Sequence, residues 1–185
     1  MHDQTVISSA DSEILALLRR RLGPHTPAQL FTFGNLDLLA LPKTALFCSA
    51  RCPGHVILPT YDQAARWRDA GRCVIGGFHS PVEKECLRIL LRGDAPVILC
   101  PARGMLERLP AQWAIAVAGG QMLILSCFPV AAKRVTAELA DRRNEFVAAL
   151  ADEVFIAHAI PGGRLESLLH KINLWHLNPP RGNSS

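Results

Sequence analysis

Arg72-Cys73-Val74-Ile75-Gly76-Gly77-Phe78-His79-Ser80-Pro81-Val82-Glu83 is the stretch that decides the fold. Cys73 to Ile75 is an apolar run too short for a helix and rich in β-branched side chains, which predicts a strand over Arg72–Ile75. Two glycines end it. Ser80 then stands three residues ahead of Glu83, with Pro81 at the first helical position. That is the pattern of a reciprocal N-terminal cap, so a helix is predicted over Pro81–Arg92. The next apolar run, Pro96–Cys100, supplies a second strand. Strand, glycine turn, capped helix and strand make one right-handed parallel crossover unit.

The same alternation continues in both directions. Upstream, Thr44–Cys48 reads as a strand and Thr60–Ala70 as a helix, with Thr60-x-x-Gln63 as its cap and Gly71 behind its end. Downstream, Ala111–Ala118 reads as a short helix, Gln121–Leu125 as a strand, Ala131–Leu150 as a helix in two pieces meeting near Asp141, and Glu153–Ala157 as a strand. A last helix starts at Arg164–Leu169. Five short apolar strands separated by helices predict an α/β protein with a Rossmann-like, doubly wound, mainly parallel sheet and helices on both faces. Residues 11–22 read as a helix opened by acids and closed by arginines. Residues 23–43, punctuated by Pro24, Pro27 and Pro42, read as loop. The chain thus divides into a helix and arm over 1–43, a sheet domain over 44–177 and a frayed tail over 178–185.

The composition agrees with one globular domain of 185 residues, 49% hydrophobic and 19% charged. It excludes a disordered or low-complexity chain. A net charge of +4, carried by sixteen arginines and only four lysines, permits an anionic ligand without demanding one. No apolar stretch is long enough for a membrane span, and the first residues lack the pattern of a signal peptide. Six cysteines include no C-x-x-C pair, and Cys48-x3-Cys52-x2-His55 fits zinc spacing poorly, so no metal is expected. Reduced, mostly buried thiols in a cytoplasmic protein are expected.

Right-handed crossovers bring the C-terminal ends of all five strands to one edge, where open α/β sheets take their ligands. The residues placed there are Ser49 and Arg51 after the first strand, and Gly76, Gly77, His79 and Ser80 after the second. Arg103 follows the third, Ser126 the fourth, and Gly162 with Gly163 the fifth. Gly76-Gly77 feeding a capped helix predicts an anion site of backbone N–H groups, with Gly77 approached closely by the ligand. Arg143 and Asn144, in Asp141-Arg142-Arg143-Asn144, add a possible phosphate grip, and Gly162-Gly163 a second anion nest. If Arg51, Arg142 and Arg143 track a nucleic-acid backbone, Phe78 and Phe128 are the aromatics at hand for base stacking. No catalytic constellation is present: Ser49 and Ser126 lack a nucleophile-elbow context, and Glu166 is the one carboxylate near the second nest. No catalytic residue and no cofactor is assigned.

These residues, in this order, resemble the DNA-processing protein A (DprA/Smf) family within the SLOG superfamily of Rossmann-like nucleotide binders. The family opens its core with a strand running into Gly-Ser-Arg, to which Cys48-Ser49-Ala50-Arg51 is similar. Its Gly-Gly loop is matched by Gly76-Gly77, and its Ser-x-x-Pro by Ser126-Cys127-Phe128-Pro129. Its Arg-Asn motif, Ala/Leu-rich helix and Asp-x-Val are matched by Arg143-Asn144 through Leu150 and Asp152-Glu153-Val154. The likeness spans roughly residues 44–170. It departs where the family has Ala-Arg-Gly-Ile-Asp after the glycines, where Cys48 replaces a glycine, and in lacking a match to the family's final strand and winged helix. The resemblance implies a phosphorylated ligand, single-stranded DNA or a nucleotide derivative, and is compatible with a homodimer. The alternative within the superfamily is the phosphoribohydrolase motif Pro-Gly-Gly-x-Gly-Thr-x-x-Glu. Pro161-Gly162-Gly163-Arg164-Leu165-Glu166 begins like it but lacks the Gly-Thr.

Overall fold

The structure, a computed structural model, describes residues 5–7 and 13–177. The elements run β1 (Thr5–Ile7), α1 (Glu13–Leu22), β2 (Leu30–Gly34), β3 (Lys43–Cys48), α2 (Gly54–Asp69), β4 (Cys73–Gly76), α3 (Pro81–Leu90) and β5 (Val97–Leu99). They continue with α4 (Ala111–Ala118), β6 (Met122–Ser126), α5 (Ala137–Leu150), β7 (Glu153–His158) and α6 (Arg164–Leu177). The seven strands form one sheet in the order β1-β2-β6-β5-β4-β3-β7. The five predicted strands, β3 to β7, pair in parallel with one another. β2 joins antiparallel to β6, and β1 antiparallel to β2.

Period-two alternation along each strand sends side chains to opposite faces of the sheet, and each face has its own core. On one face Ala45, Phe47, Ile75, Ile98 and Leu123 meet Leu15 and Leu18 of α1, Phe146 and Val147 of α5 and Leu165 and Leu168 of α6. On the other, Leu46, Val74, Val97 and Ile124 meet Ala64 of α2, Leu87 and Leu90 of α3 and Ala116 of α4. Each such aliphatic side chain removed from water stabilises the fold by about 1.5–3 kcal/mol. At the β7 edge, Trp67 of α2 packs edge-on against Phe155 at 5.1 Å between ring centroids.

Three local expectations are corrected. Residues 23–43 are not all loop: Leu30-Phe31-Thr32-Phe33 alternates and forms β2, whose Thr32 hydroxyl donates to the Thr5 carbonyl at 2.9 Å. The prolines flank this strand rather than interrupt it. α1 packs on the main core beside it. Next, α2 begins six residues before Thr60, with Pro59 inside it. Thr60 is no cap; its hydroxyl donates back to the Val56 carbonyl at 2.7 Å. Finally, α5 is a single helix without a break at Asp141. It starts at Ala137, capped by the Thr136 hydroxyl, which accepts from the Leu139 N–H at 3.2 Å. The frayed tail expected over 178–185 lies outside the described residues.

The winding positions the site. β3, β4, β5 and β6 follow one another across the sheet, and α5 then carries the chain back so that β7 lies on the other side of β3. The direction of winding therefore reverses between β3 and β7, and a crevice opens there beyond the strand ends.

Candidate functional site

The floor of the edge is a buried carboxylate. The cap predicted for α3 forms in full, with Ser80 Oγ accepting from the Glu83 N–H and the Glu83 side chain accepting from the Ser80 N–H. Glu83 does more than cap. One carboxylate oxygen also accepts from the His79 N–H and the other from the Cys48 N–H, both at 2.8 Å. Three backbone donors thus converge on one side chain that is only 6% exposed. Charge-assisted bonds of this kind are among the strong ones. They staple the end of β3 to the loop after β4. In the anion cradle expected over residues 77–80, the N–H groups of His79 and Ser80 hold the protein's own carboxylate.

Above Glu83 lies Arg143, 5% exposed. Its Nε donates to Asn144 Oδ1 at 2.8 Å and its Nη1 to the Cys100 carbonyl at 3.1 Å. Burial pushes its pKa down, and the charge of Glu83 opposes that shift. The guanidinium lies on Gly77, where a β-carbon would overlap it. Gly77 is therefore glycine to admit Arg143, a protein group where the sequence had suggested a ligand. Its neighbour Phe78 has φ of +46°, a left-handed conformation uncommon for a bulky residue, held by burial of the ring. Nη2 of Arg143 has no protein partner among the described residues.

Two cavities share Arg143 and His79. The first, about 280 Å³, sits at the crevice between β3 and β7. Around it stand Ser49, Ser80, Asn144 and Gly163, with Ile160 and Leu165 as an apolar wall and Glu83, Asp141 and Arg164 at its margin. The second, about 350 Å³, opens over the ends of β4 and β5. It is lined by Gly77, Lys84, Arg103, Arg108 and Trp113 and has no acidic lining residue. Lys84 and Arg108 are exposed and Arg103 half-buried. No ion pair engages any of these three cations among the described residues, whereas Arg72, Arg88 and Arg164 pair with Glu153, Glu85 and Asp141.

The residues chosen from sequence therefore separate. Ser49, His79, Ser80, Arg143, Asn144 and Gly163 come together at the first cavity, and Gly77, His79, Arg103 and Arg143 at the second. Gly76 is buried in its strand. Ser126 is fully buried, donating to the Arg103 carbonyl at 2.7 Å and accepting from the Phe128 N–H, so it ties one loop down. Arg51 is exposed but lines neither of these cavities. The Gly162 N–H donates at 2.7 Å to Glu166, so this nest too is met by the chain's own carboxylate. Phe78 and Phe128 are 4% and 1% exposed and present no stacking face; Arg142 sits over the Phe128 ring at 5.6 Å. Sequence reasoning missed Lys84, Arg108 and Trp113. Lys84 carried a usable signal, being one turn into the capped helix. Arg108 lies in an aperiodic stretch, 101–110, that signals nothing.

Among the described residues no helix is long and apolar enough to cross a membrane. No curated protein matches the chain. The family model of DNA recombination-mediator protein A matches residues 5–167. Among solved structures, DNA processing protein A from Helicobacter pylori, studied for its single-stranded DNA binding mode, superposes with a TM-score of 0.74 at 19% identity. The match covers 100% of this chain and 84% of that one. DNA processing protein A from Streptococcus pneumoniae superposes at 0.68 and 18% identity, over 92% of this chain and 60% of the other. At these identities the likeness to both structures is one of fold.

Proposed function

The chain belongs to the DNA recombination-mediator protein A family, and from that premise we propose that it binds single-stranded DNA along the C-terminal edge of its parallel sheet. One observation carries the proposal. Lys84, Arg103 and Arg108 surround a 350 Å³ cavity with no acidic lining residue and no ion-pair partner among the described residues. Unpaired cations gathered on one concave surface are the footprint of a polyanion. Trp113, half-buried beside them, offers one face on which a base can stack. The relatives supply the kind of polyanion: the Helicobacter pylori protein was studied for how it binds single-stranded DNA. The hydrolase alternative draws less support, because the carboxylate it would need, Glu166, is held by the Gly162 N–H.

The test is fluorescence anisotropy with a labelled oligo(dT) over a salt series. Three side-chain cations that neutralise phosphates of a single strand release its counterions and give a log–log slope of about −2. Lys84→Ala, Arg103→Ala and Arg108→Ala each weaken binding by about fivefold, in the range of one phosphate contact. Trp113→Ala costs about 1–3 kcal/mol of stacking. Arg66→Ala serves as the control: Arg66 is an exposed residue of α2 bonded to Gln63. No binding at low salt, or equal losses in the control, removes the proposal.

A further inference from the structure

We propose that Cys48 and Cys52 form a redox-modification site, in which a peroxide joins the two sulfurs in a disulfide that ties the start of α2 to the end of β3. All six cysteines of the chain are free, and their surroundings set this pair apart. Cys73, Cys86 and Cys100 are 3%, 0% and 1% exposed. Cys52 is half-buried in the segment between β3 and α2, and it packs against the core cluster that contains Cys48. A side-chain hydrogen bond joins the Cys48 and Cys52 thiols. The third thiol of that cluster, Cys86, is turned to α2 instead, where it donates to the Thr60 carbonyl at 4.0 Å. Cys127 is half-buried as well, and no thiol hydrogen-bonds to it among the described residues.

The two sulfurs have distinct parts. Cys48 is 4% exposed, and burial, with the Cys52 thiol and the Glu83 charge beside it, pushes its pKa up to about 12, so it keeps its proton at neutral pH. Cys52 is the sulfur that an oxidant reaches. It attacks one oxygen of hydrogen peroxide and becomes a sulfenic acid, as the O–O bond breaks and water leaves. The Cys48 sulfur then attacks the sulfenic sulfur. The S–O bond breaks, and the hydroxyl departs with the Cys48 proton as a second water. Two thiols and one peroxide thus give one disulfide and two waters, two electrons passing from the sulfurs to the peroxide. A dithiol reverses the step by exchange. The ring so closed spans only Ser49, Ala50 and Arg51. Its Cys48 side is already fixed, by the Cys48 N–H on Glu83 at 2.8 Å and the Ser49 N–H on the His158 carbonyl at 2.9 Å. Its Cys52 side is held less: α2 starts at Pro53 without a side-chain cap, and the Val56 N–H turns back to the Pro53 carbonyl at 3.0 Å. The bridge supplies the anchor that this helix start lacks and removes freedom from the unfolded chain.

The sequence places a probe inside the ring. Trypsin cuts after Lys43, Arg51 and Arg66, so one cut falls between the two cysteines and yields peptides 44–51 and 52–66 with one cysteine each. The full chain is treated with hydrogen peroxide, denatured, blocked with a maleimide and digested without reductant. The expected result is the loss of two of the six thiols, a mass lower by two hydrogens, and peptides 44–51 and 52–66 joined until dithiothreitol is added. The oxidised protein should also melt about 4 °C higher than the reduced one. Cys48→Ala and Cys52→Ser should each abolish both changes, and Cys52→Ser, at the half-buried position, stands in if Cys48→Ala fails to fold. Cys127→Ser should leave both changes intact. Oxygen added at Cys52 without a link, a link to any other cysteine or between two chains, or an unchanged melting temperature overturns the proposal. None of these readouts uses a nucleic acid, so the DNA-binding reading stands or falls separately.

Discussion

A β-carbon at Gly77 and the guanidinium of Arg143 compete for one space. Gly77 does not have positive φ, so its replacement raises no backbone strain and acts through Arg143 alone. Gly77→Ala is expected to leave the fold intact while pushing Arg143 off the Cys100 carbonyl. Melting should shift by about 1–3 kcal/mol, the range for a lost buried bond to a charged group, and affinity for DNA should fall. Circular dichroism melts run beside the anisotropy assay separate the two effects. Glu83→Gln probes the floor beneath. Three N–H groups point at its two oxygens, and an amide nitrogen at either position sets donor against donor. A loss of about 2–3 kcal/mol in urea unfolding is expected, far more than for an ordinary cap. At this scale the sequence was legible where a local rule governs, as in the Ser80–Glu83 cap. It was opaque where distant residues meet. Nothing around Gly77 announces that Arg143, from another helix, lies on it.

Among the elements, those with a local stop and start signal were read nearly to the residue. Ala111–Ala118 is an example, and so is α3 between Pro81 and the turn at Gly93. Elements that depend on tertiary partners were not. β2 is short, sits among prolines and is defined by its pairing with β6, Phe31 opposite Ser126 and Phe33 opposite Ile124. α2 carries Pro59 at its sixth position, past the partnerless N–H groups of the helix start, so the ring costs the helix one bond there, while the Thr60 hydroxyl bonds back to Val56. α5 gives the cleanest element-scale test. Thr136 is its N-cap, so Thr136→Ala should cost about 1 kcal/mol, whereas Thr136→Asp should keep most of that stability. Thermal melts of the two variants decide it. Because α5 carries Arg143 and Asn144, a frayed first turn should also weaken ligand binding more than that stability loss implies.

Over the whole molecule, the starts of the neighbouring strands β3 and β7 are tied at Lys43 and Asp152. The Asp152 carboxylate accepts from the Lys43 N–H at 2.7 Å and faces its ammonium at 3.3 Å. Burial pushes this carboxyl up, but the N–H and ammonium of Lys43, with Arg21 beyond, outweigh it and hold the pKa below the usual carboxylate range. A carboxyl whose folded pKa is depressed stabilises the fold above its unfolded pKa of about 3.9 and loses that contribution as pH falls through the folded value. Asp152→Asn should therefore lower the melting temperature at neutral pH, and the gap to the unmodified protein should close as the pH falls below the usual carboxylate range. A gap that stays constant across this range would assign the effect to packing instead.

The return of α5 across the sheet has a consequence in time. β7 pairs with β3, Thr44 opposite Glu153, and β2 pairs with β6, Phe31 opposite Ser126. Both pairings close very long loops, and their entropic cost is met before their contacts form. During synthesis β3, β4 and β5 can assemble in order as they emerge. β2 must wait for β6, and the crevice beside β3 stays open until β7, the last of the seven described strands in chain order, arrives. The crevice is thus completed last, and the half-made sheet exposes an unpaired β3 edge in the interval, the kind of edge that recruits other chains. In a refolding experiment, recovery of ligand binding should lag behind recovery of helical signal, and the yield should fall as protein concentration rises.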